Sequence, residues 1–247
     1  MAPTFSIWPL AAILVSLLGA LPIILSDRRP NLRESWTILI AVIKLSIVAS
    51  LLPGVLSGES YVFTIAQVLP GVPIELRVDA LGMVFALVAS CLWLFTSIYS
   101  IGYMRALEEH AQTRYFASFA VAISATIGIA FSANLLTMYL FYEVLSLSTY
   151  PLVTHEQNAE ARASGRKYLT YIIGTSIGFA LPAMLMTYTS AGTLDFTQGG
   201  ILAGKASPEL LALLLVLFLF GFAKAGLMPF HGWLPAAMVA PTPVSSF

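Results

Sequence analysis

Three charged side chains stand inside long apolar stretches of the sequence. Glu143, Lys224 and Lys44 each have predominantly apolar residues on both sides. A charged side chain at the centre of a bilayer costs about 2.5–3.5 kcal/mol on insertion scales, so it normally faces a protein interior or a wet cavity and marks a proton or ion route. These residues therefore indicate proton or ion movement as the chemistry to consider first.

Glu143 belongs to a polar stripe on one predicted helix. Tyr139, Ser146 and Tyr150 stand at positions i−4, i+3 and i+7 relative to Glu143, which places four polar side chains on one face. Lipid does not tolerate such a stripe, so we expect this face to point into the protein.

The following apolar stretch offers a second polar face. Tyr168, Tyr171 and Thr175 recur at similar spacing, and Gly174 and Gly178 form a G-x-x-x-G pattern. Because small residues at this spacing allow helices to approach closely, we expect the two polar faces to meet there.

Lys224 lies near the middle of a long apolar stretch, Glu209–Ala240, that also contains Pro229 and Pro235. Proline removes a backbone donor and kinks or breaks a helix, so we expect a discontinuous helix with the lysine at its break. Broken helices expose carbonyls that attract cations and water, which favours a lysine that accepts and releases protons. The alternative is that Lys224 and Glu143 only neutralise each other as a static pair.

The remaining titratable residues are less decisive. Lys44 either takes part in function or, with its long aliphatic stem, reaches an interface or a structural partner. His110 and His155 stand in polar connections and are expected to be solvated, whereas His231 follows the break and could extend a proton chain. A transmembrane haem usually needs two opposed histidines inside spans, and only His231 is a candidate for one.

Composition excludes several classes of protein. The chain of 247 residues is 58% hydrophobic and 10% charged, whereas soluble domains carry about 25% charged residues. Its formal net charge of zero gives no basic footprint for nucleic acid. The single cysteine, Cys91, excludes a disulfide framework and a thiolate metal site. No nucleotide-binding fingerprint is present, so we expect no cofactor in this chain.

The apolar stretches are long enough to cross a bilayer. They predict an all-α, polytopic transmembrane bundle of seven spans with the seventh discontinuous. The predicted spans are Phe5–Leu25, Ser35–Leu56, Ala80–Tyr103, Tyr115–Ser132, Leu135–Val153, Tyr168–Ser190 and Glu209–Ala240.

Charge between these spans predicts orientation, because short cytoplasmic loops collect Lys and Arg. Eight basic residues fall in alternate loops: Arg28, Arg29, Arg33, Arg105, Arg114, Arg162, Arg166 and Lys167. We therefore expect the amino terminus outside. The segment Ser57–Asp79 should also lie outside, where its period-two pattern around Pro70-Gly71 suggests a β-hairpin. The chain divides into residues 1–79, the amino-terminal helices and hairpin, and residues 80–247.

Three stretches make the sequence recognisable. Asn134–Val153 reads NLLTMYLFYEVLSLSTYPLV, Lys224–Pro235 reads KAGLMPFHGWLP, and Ala240–Ser245 reads APTPVS. Together they resemble the proton-translocating antiporter-like subunit family. This family covers large membrane-arm subunits of respiratory complex I, the NADH:quinone oxidoreductase, and the large subunits of Mrp-type cation/proton antiporters. The resemblance runs from about Val78 to the last residue.

The resemblance implies a function. Glu143, Lys224 and His231 match the family's proton-relay residues. The chain is then expected to be a proton-translocating subunit of a Na+/H+ antiporter in a bacterial inner membrane, with lipid, protons, Na+ and other membrane subunits as partners. The alternative is a proton-pumping subunit of complex I or a related redox-driven complex, without redox chemistry in this chain. A third hypothesis is a passive scaffold.

The resemblance also bears on completeness. Family members are longer, so the chain is expected to be an amino-terminal half, a fragment or one product of a split gene. It would then hold one proton half-channel and could not complete a transport cycle alone.

Overall fold

The computed structural model describes residues 4–245 and is mostly helical. The helices are α1 (Trp8–Leu25), α2 (Pro30–Leu56), α3 (Ala80–Ala106), α4 (Gln112–Ala130), α5 (Leu135–Val153), α6 (Ala159–Thr175), α7 (Leu181–Ala191), α8 (Pro208–Gly221), α9 (Trp233–Ala237) and α10 (Thr242–Ser245). A π-helical turn, Ser176–Ala180, joins α6 to α7 in one continuous helix of 33 residues.

Five helices within the described residues are long and apolar enough to cross a membrane: α1, α2, α3, α4 and the continuous helix Ala159–Ala191. The predicted number of seven spans is not confirmed. Helix α5 has 19 residues but carries Glu143 and several hydroxyl side chains, which make it less apolar. Helix α8 is apolar but only 14 residues long, shorter than the ~20 residues that a straight span needs.

A small sheet amends the all-α prediction. Strand β2 (Tyr61–Leu69) pairs antiparallel with β3 (Val72–Val78), which confirms the hairpin predicted from period-two alternation. Its turn contains Gly71 at a φ of 74°, a backbone conformation that glycine adopts without steric cost. Strand β1 (Thr4–Phe5) runs parallel to β2, so Phe5 belongs to the sheet and not to the first span.

The helix ends opposite the hairpin form a polar network. Glu34, which is buried at the start of α2, accepts a hydrogen bond from Arg105 Nε at 2.9 Å. Arg33 donates to Gln112 Oε1 at 2.6 Å and to Thr113 Oγ1 at 3.1 Å. The basic connections between α1 and α2 and between α3 and α4 therefore share one end of the bundle. That this end faces the cytoplasm stays a prediction.

Helix α4 is the central element of the bundle. It packs against α1, α3 and α5, and 61% of its most apolar window is buried, against 28–39% in the other four membrane-length helices. Gly128 on α4 lies directly beneath the ring of Phe141 on α5, where a side chain would clash. This close approach fixes α5, which carries Glu143, against the centre of the protein.

Asn134 sets the start of α5. Its side-chain Oδ1 accepts hydrogen bonds from Thr137 N at 2.9 Å and Thr137 Oγ1 at 3.0 Å, while its Nδ2 donates to Pro73 O at 2.7 Å. Asn134 is fully buried. It therefore acts both as the helix N-cap and as the connection between the hairpin and the helix that bears Glu143.

The predicted close approach at Gly174 and Gly178 is wrong, because a Cβ added at either position meets nothing within 4 Å. The small residue that matters is Gly221 at the end of α8. A Cβ there would lie 2.5 Å from the backbone nitrogen of Ala180 in the π-helical turn. Helix α8 therefore packs backbone to backbone against this turn.

We predict that Asn134→Ala destabilises the protein by more than Asn158→Ala. Either substitution removes a helix N-cap, which costs about 0.5–2 kcal/mol. Only Asn134 is buried and also donates to the carbonyl of the half-buried Pro73, so its loss removes a further hydrogen bond worth about 0.5–1.5 kcal/mol. Thermal unfolding of both variants in detergent measures the difference. Equal shifts in Tm would show that the bond to Pro73 contributes nothing.

We also predict that Gly221→Ala lowers the free energy of unfolding by about 1–3 kcal/mol, the usual cost of overpacking. The matched control is Gly178→Ala, which has open space for the methyl group and replaces glycine by a better helix former. Denaturant titration of the two variants tests this. A Gly178→Ala variant less stable than Gly221→Ala would contradict the packing described here.

Candidate functional site

Glu143 lies half-buried on α5 and faces the π-helical turn. Ser176, the first residue of that turn, donates a hydrogen bond from Oγ to Glu143 Oε1 at 2.5 Å. Tyr139, one helical turn earlier on α5, lies beside both residues. The carboxyl group is therefore held between α5 and the irregular part of the neighbouring helix.

The π-helical turn has a local cause and a consequence. Pro182 stands in the first turn of α7, where its missing N–H cannot continue a regular α-helical hydrogen-bond ladder. Single π-helical turns inside α-helices are rare and occur frequently at functional sites. Here the turn places Ser176 opposite the carboxyl group.

Lys224 lies where the predicted discontinuous helix breaks. Helix α8 ends at Gly221, a single 3₁₀ turn spans Ala223–Ala225, and Gly226 has a left-handed φ of 66°. The break comes before Pro229. Trp233 Nε1 donates to the carbonyl of Ala223 at 2.9 Å, and the same carbonyl accepts from Gly226 N at 2.9 Å within the 3₁₀ turn.

Lys224 contacts the residue next to Glu143. Its Nζ lies 5.4 Å from the centre of the Tyr142 ring, within the range of a cation–π interaction. The charges of Lys224 and Glu143 interact electrostatically. Across residues 4–245, however, the ion pairs within 4.0 Å do not include this one. A directly bonded static pair is therefore not what the site contains.

A cavity of about 320 Å³ adjoins Lys224. Thr149 and Tyr168 line it, and their hydroxyl oxygens lie 2.6 Å apart in a hydrogen bond. Trp233 and Val244, which follow the break, form its opposite wall. The lysine thus has an apolar cavity with two hydroxyl groups on one side and the Glu143 carboxyl group on the other.

The structure preserves part of the predicted polar stripe on α5. Tyr139 lies beside Glu143, but Ser146 is buried and donates to the carbonyl of Tyr142 at 2.8 Å. Tyr150 packs at Gly165 on α6. On the second predicted face, the Tyr168 hydroxyl is hydrogen-bonded to Thr149 on α5. Thr175 there donates to the carbonyl of Tyr171 at 2.7 Å.

The sequence did not identify two residues of the site, Tyr142 and Ser176. Tyr142 is adjacent to Glu143 and therefore lies off the predicted stripe of α5. Ser176 is adjacent to Thr175 and therefore lies off the second predicted face. A serine directly after Thr175 in an apolar stretch was the available signal for Ser176.

The histidines behave differently from one another. His231 is exposed, and in the part of the chain that the structure describes no hydrogen bond or ion pair of its side chain is found, so its place in a relay stays a prediction. His110 is exposed as expected. The expected solvation of His155 is wrong, since this side chain is fully buried. Burial, together with the nearby His110 and Arg114, lowers the pKa of His155 to about 4, so its imidazole is neutral at pH 7.

Lys44 is fully buried and does not reach an interface. Its Nζ donates to Ser16 Oγ at 2.5 Å and to the carbonyl of Ile123 at 3.3 Å, and lies 5.3 Å from the centre of the Trp93 ring. The structural-partner alternative therefore describes its contacts, with a hydroxyl, a carbonyl and an aromatic face as the partners.

Two family models match the chain. One, described as NADH:quinone oxidoreductase/Mrp antiporter, TM, matches residues 132–247 and so includes Glu143, Lys224 and His231. The other, described as NADH-Ubiquinone oxidoreductase (complex I), chain 5 N-terminus, matches residues 70–116.

Curated relatives include a protein named "Putative antiporter subunit mnhA2" from Staphylococcus haemolyticus (strain JCSC1435). It is 30% identical over 202 residues, which is 79% of this chain and 25% of the relative. A protein of the same name from Staphylococcus aureus (strain MSSA476) is 31% identical over 180 residues, covering 70% of this chain and 22% of that protein. The chain thus spans about a quarter of the length of these relatives.

Solved structures share the fold. A chain of the membrane-bound sulfane sulfur reductase, an archaeal respiratory membrane complex, superimposes with a TM-score of 0.81 at 21% identity, over 97% of this chain and 49% of that one. A chain of the Mrp complex from Dietzia sp. DQ12-45-1b gives a TM-score of 0.79 at 23% identity, over 97% and 45%.

The motifs, the helical architecture and both family models agree, although the relatives are longer. The chain therefore belongs to the antiporter-like family of integral, multi-pass membrane subunits that includes members of NADH:quinone oxidoreductase and Mrp antiporters.

Proposed function

We propose that this chain is a proton-translocating subunit of a multisubunit monovalent cation (Na+)/H+ antiporter and that Glu143 and Lys224 relay the proton. The observation that carries the proposal is the position of the two groups. Glu143 is bonded to Ser176 and Lys224 rests on Tyr142, so the charges are coupled without being bonded to each other. A relay needs partners that can gain and lose charge separately.

Each group has a neutral partner that remains when its charge changes. Ser176 donates to the carboxylate and, because a hydroxyl can also accept, it serves a protonated Glu143 as well. The Tyr142 ring stabilises a charged Lys224 and packs equally against a neutral amine. Each group can therefore gain or lose a proton without rebuilding the packing around it.

The cavity beside Lys224 would form the next part of the proposed proton route. The bonded hydroxyls of Thr149 and Tyr168 can pass a proton between the lysine and water entering the cavity. His231, which lies in the segment after the break, would extend the route toward the exposed surface. Other membrane subunits and lipid would surround this route, and the remaining half-channel would come from outside these residues.

Localisation and orientation belong to the same proposal. The positive-inside pattern favours a cytoplasmic location for the basic end of the bundle, with the amino terminus outside. The bacterial origin of the relatives favours a bacterial inner (plasma) membrane. Na+ as the exchanged cation is likewise a proposal.

A second candidate function is a proton-pumping membrane subunit of a redox-driven complex. It is favoured by the fold shared with a chain of an archaeal respiratory complex and by the complex I family models. Mass spectrometry of the complex purified with this chain distinguishes the two. Flavin and iron–sulfur subunits would favour the redox-driven complex, and their absence from an active complex would favour the antiporter.

We predict that Glu143→Gln abolishes proton-coupled transport and leaves membrane insertion intact, because it deletes the carboxylate and lowers the insertion cost. The measurement is Na+-driven proton flux in proteoliposomes that contain the whole complex and a pH-sensitive dye. Glu160→Gln, an exposed carboxylate at the start of α6, is the matched control and should transport normally. Wild-type flux in Glu143→Gln would refute the relay.

We predict that Lys224→Met and Lys224→Arg both stop transport. Arginine keeps the charge but stays protonated, whereas a relay group must release its proton. The same flux assay applies, with fluorescence-detected size exclusion to show that the complex still assembles. An active Lys224→Arg variant would mean that Lys224 only supplies charge. Activity in the Glu143→Gln/Lys224→Met double variant would support the scaffold hypothesis.

A further inference from the structure

Three potential metal ligands from two separate connections converge at the basic end of the bundle. Glu109 and His110 lie between α3 and α4, and His155 lies just after α5. One ligand atom from each residue lies within 4.8 Å of the other two. Glu109 Oε2 is 3.7 Å from His155 Nε2 and 4.0 Å from His110 Nδ1.

His155 is the unusual member of this cluster. Its side chain is 0% exposed, against 17% for Glu109 and 49% for His110. Neither ring nitrogen makes a hydrogen bond of good geometry within residues 4–245, although one lies near the backbone of His110. The distance to Glu109 is too long for a hydrogen bond. A buried polar group without a partner is rare and calls for an explanation.

We propose that Glu109, His110 and His155 bind a divalent transition-metal ion of the zinc class. Two imidazoles and one carboxylate, with a fourth position left to water, form a common three-ligand set for Zn²⁺. The buried His155 ring nitrogens have no hydrogen-bond partner of good geometry among the described residues, and an imidazole nitrogen is a common metal ligand. The cluster is independent of Glu143 and Lys224, so the site goes beyond the proposed transport function.

The geometry requires a small contraction. Bonds of about 2.0–2.1 Å in a tetrahedron bring ligand atoms to roughly 3.3 Å from one another, somewhat closer than they are now. His110 is the exposed member and can move toward the other two ligands. The residues flanking the pair, Glu108 and Ala111, have φ values of 51° and 50°, and non-glycine residues keep such backbone only where the surroundings enforce it.

Two charges of opposite sign, those of Arg114 and Glu109, lie near His155. Arg114 donates from Nη2 to the backbone carbonyl of His155 at 2.6 Å, so a positive charge lies near the imidazole. The Glu109 carboxylate lies 3.7 Å from His155 Nε2. A bound cation would take the position between both imidazoles and the carboxylate. It would fasten the α3–α4 connection to the end of α5, the helix that carries Glu143.

The test uses the purified full chain, in its complex, titrated with Zn²⁺ against a chromogenic chelator and with Co²⁺ followed by visible absorption. We expect one site per chain and a Co²⁺ spectrum typical of four-coordinate nitrogen and oxygen ligation. His155→Gln and His110→Gln should each weaken binding by at least about tenfold, because even changes outside the ligand shell cost metal sites about 10–100-fold.

Two controls keep the result interpretable. Glu108→Gln removes an exposed carboxylate next to the site and should leave affinity unchanged, whereas Glu109→Gln should weaken it. Because the His110 side chain is exposed, the His110→Gln variant should fold normally. Its metal affinity can therefore be measured even if His155→Gln fails to fold. Binding that survives His110→Gln, or that disappears with His231→Gln instead, would overturn the proposal, as would the absence of stoichiometric binding to the unaltered chain.

Discussion

The structure is organised around the cost of placing a charge in an apolar interior. A charged side chain at mid-bilayer costs about 2.5–3.5 kcal/mol. For Glu143, the hydrogen bond from Ser176 and the electrostatic interaction with Lys224 offset this cost. The two residues that interact with Glu143, Ser176 and Lys224, both lie in irregular backbone. The π-helical turn presents Ser176, and Gly221 lets α8 approach that turn closely enough to bring Lys224 near α5.

The broken helix combines two requirements that a regular helix cannot meet together. Inside an apolar medium every backbone polar group needs a partner, yet the proposed proton route needs polar atoms that are free to interact. The chain resolves this at the break, where the Trp233 indole bonds the carbonyl of Ala223 while Lys224 extends toward Tyr142 and the cavity.

Neither Lys44 nor Lys224 forms an ion pair with a described carboxylate within 4.0 Å. Within the described residues, Lys44 is surrounded by Ser16, the Ile123 carbonyl and Trp93, and Lys224 by an aromatic ring. Hydroxyls and rings give weaker and less directional support than an ion pair, which lets the charge state of the amine vary. Arg105, by contrast, is bonded to Glu34 through two atoms at the end of the bundle, where the partners are structural.

The sequence by itself determined the membrane class, the position of the broken helix and the hairpin, and it identified Glu143 and Lys224 as charges inside apolar stretches, because hydropathy, proline and charge act locally. It could not determine which side chains meet. Ser176 contacts Glu143 because α6 packs against α5, and Gly174 and Gly178 are open because helix α8 approaches Ala180 through Gly221 instead. His155 is buried because residues far apart in sequence close over it. Such contacts follow from how helices pack, and no local pattern encodes them.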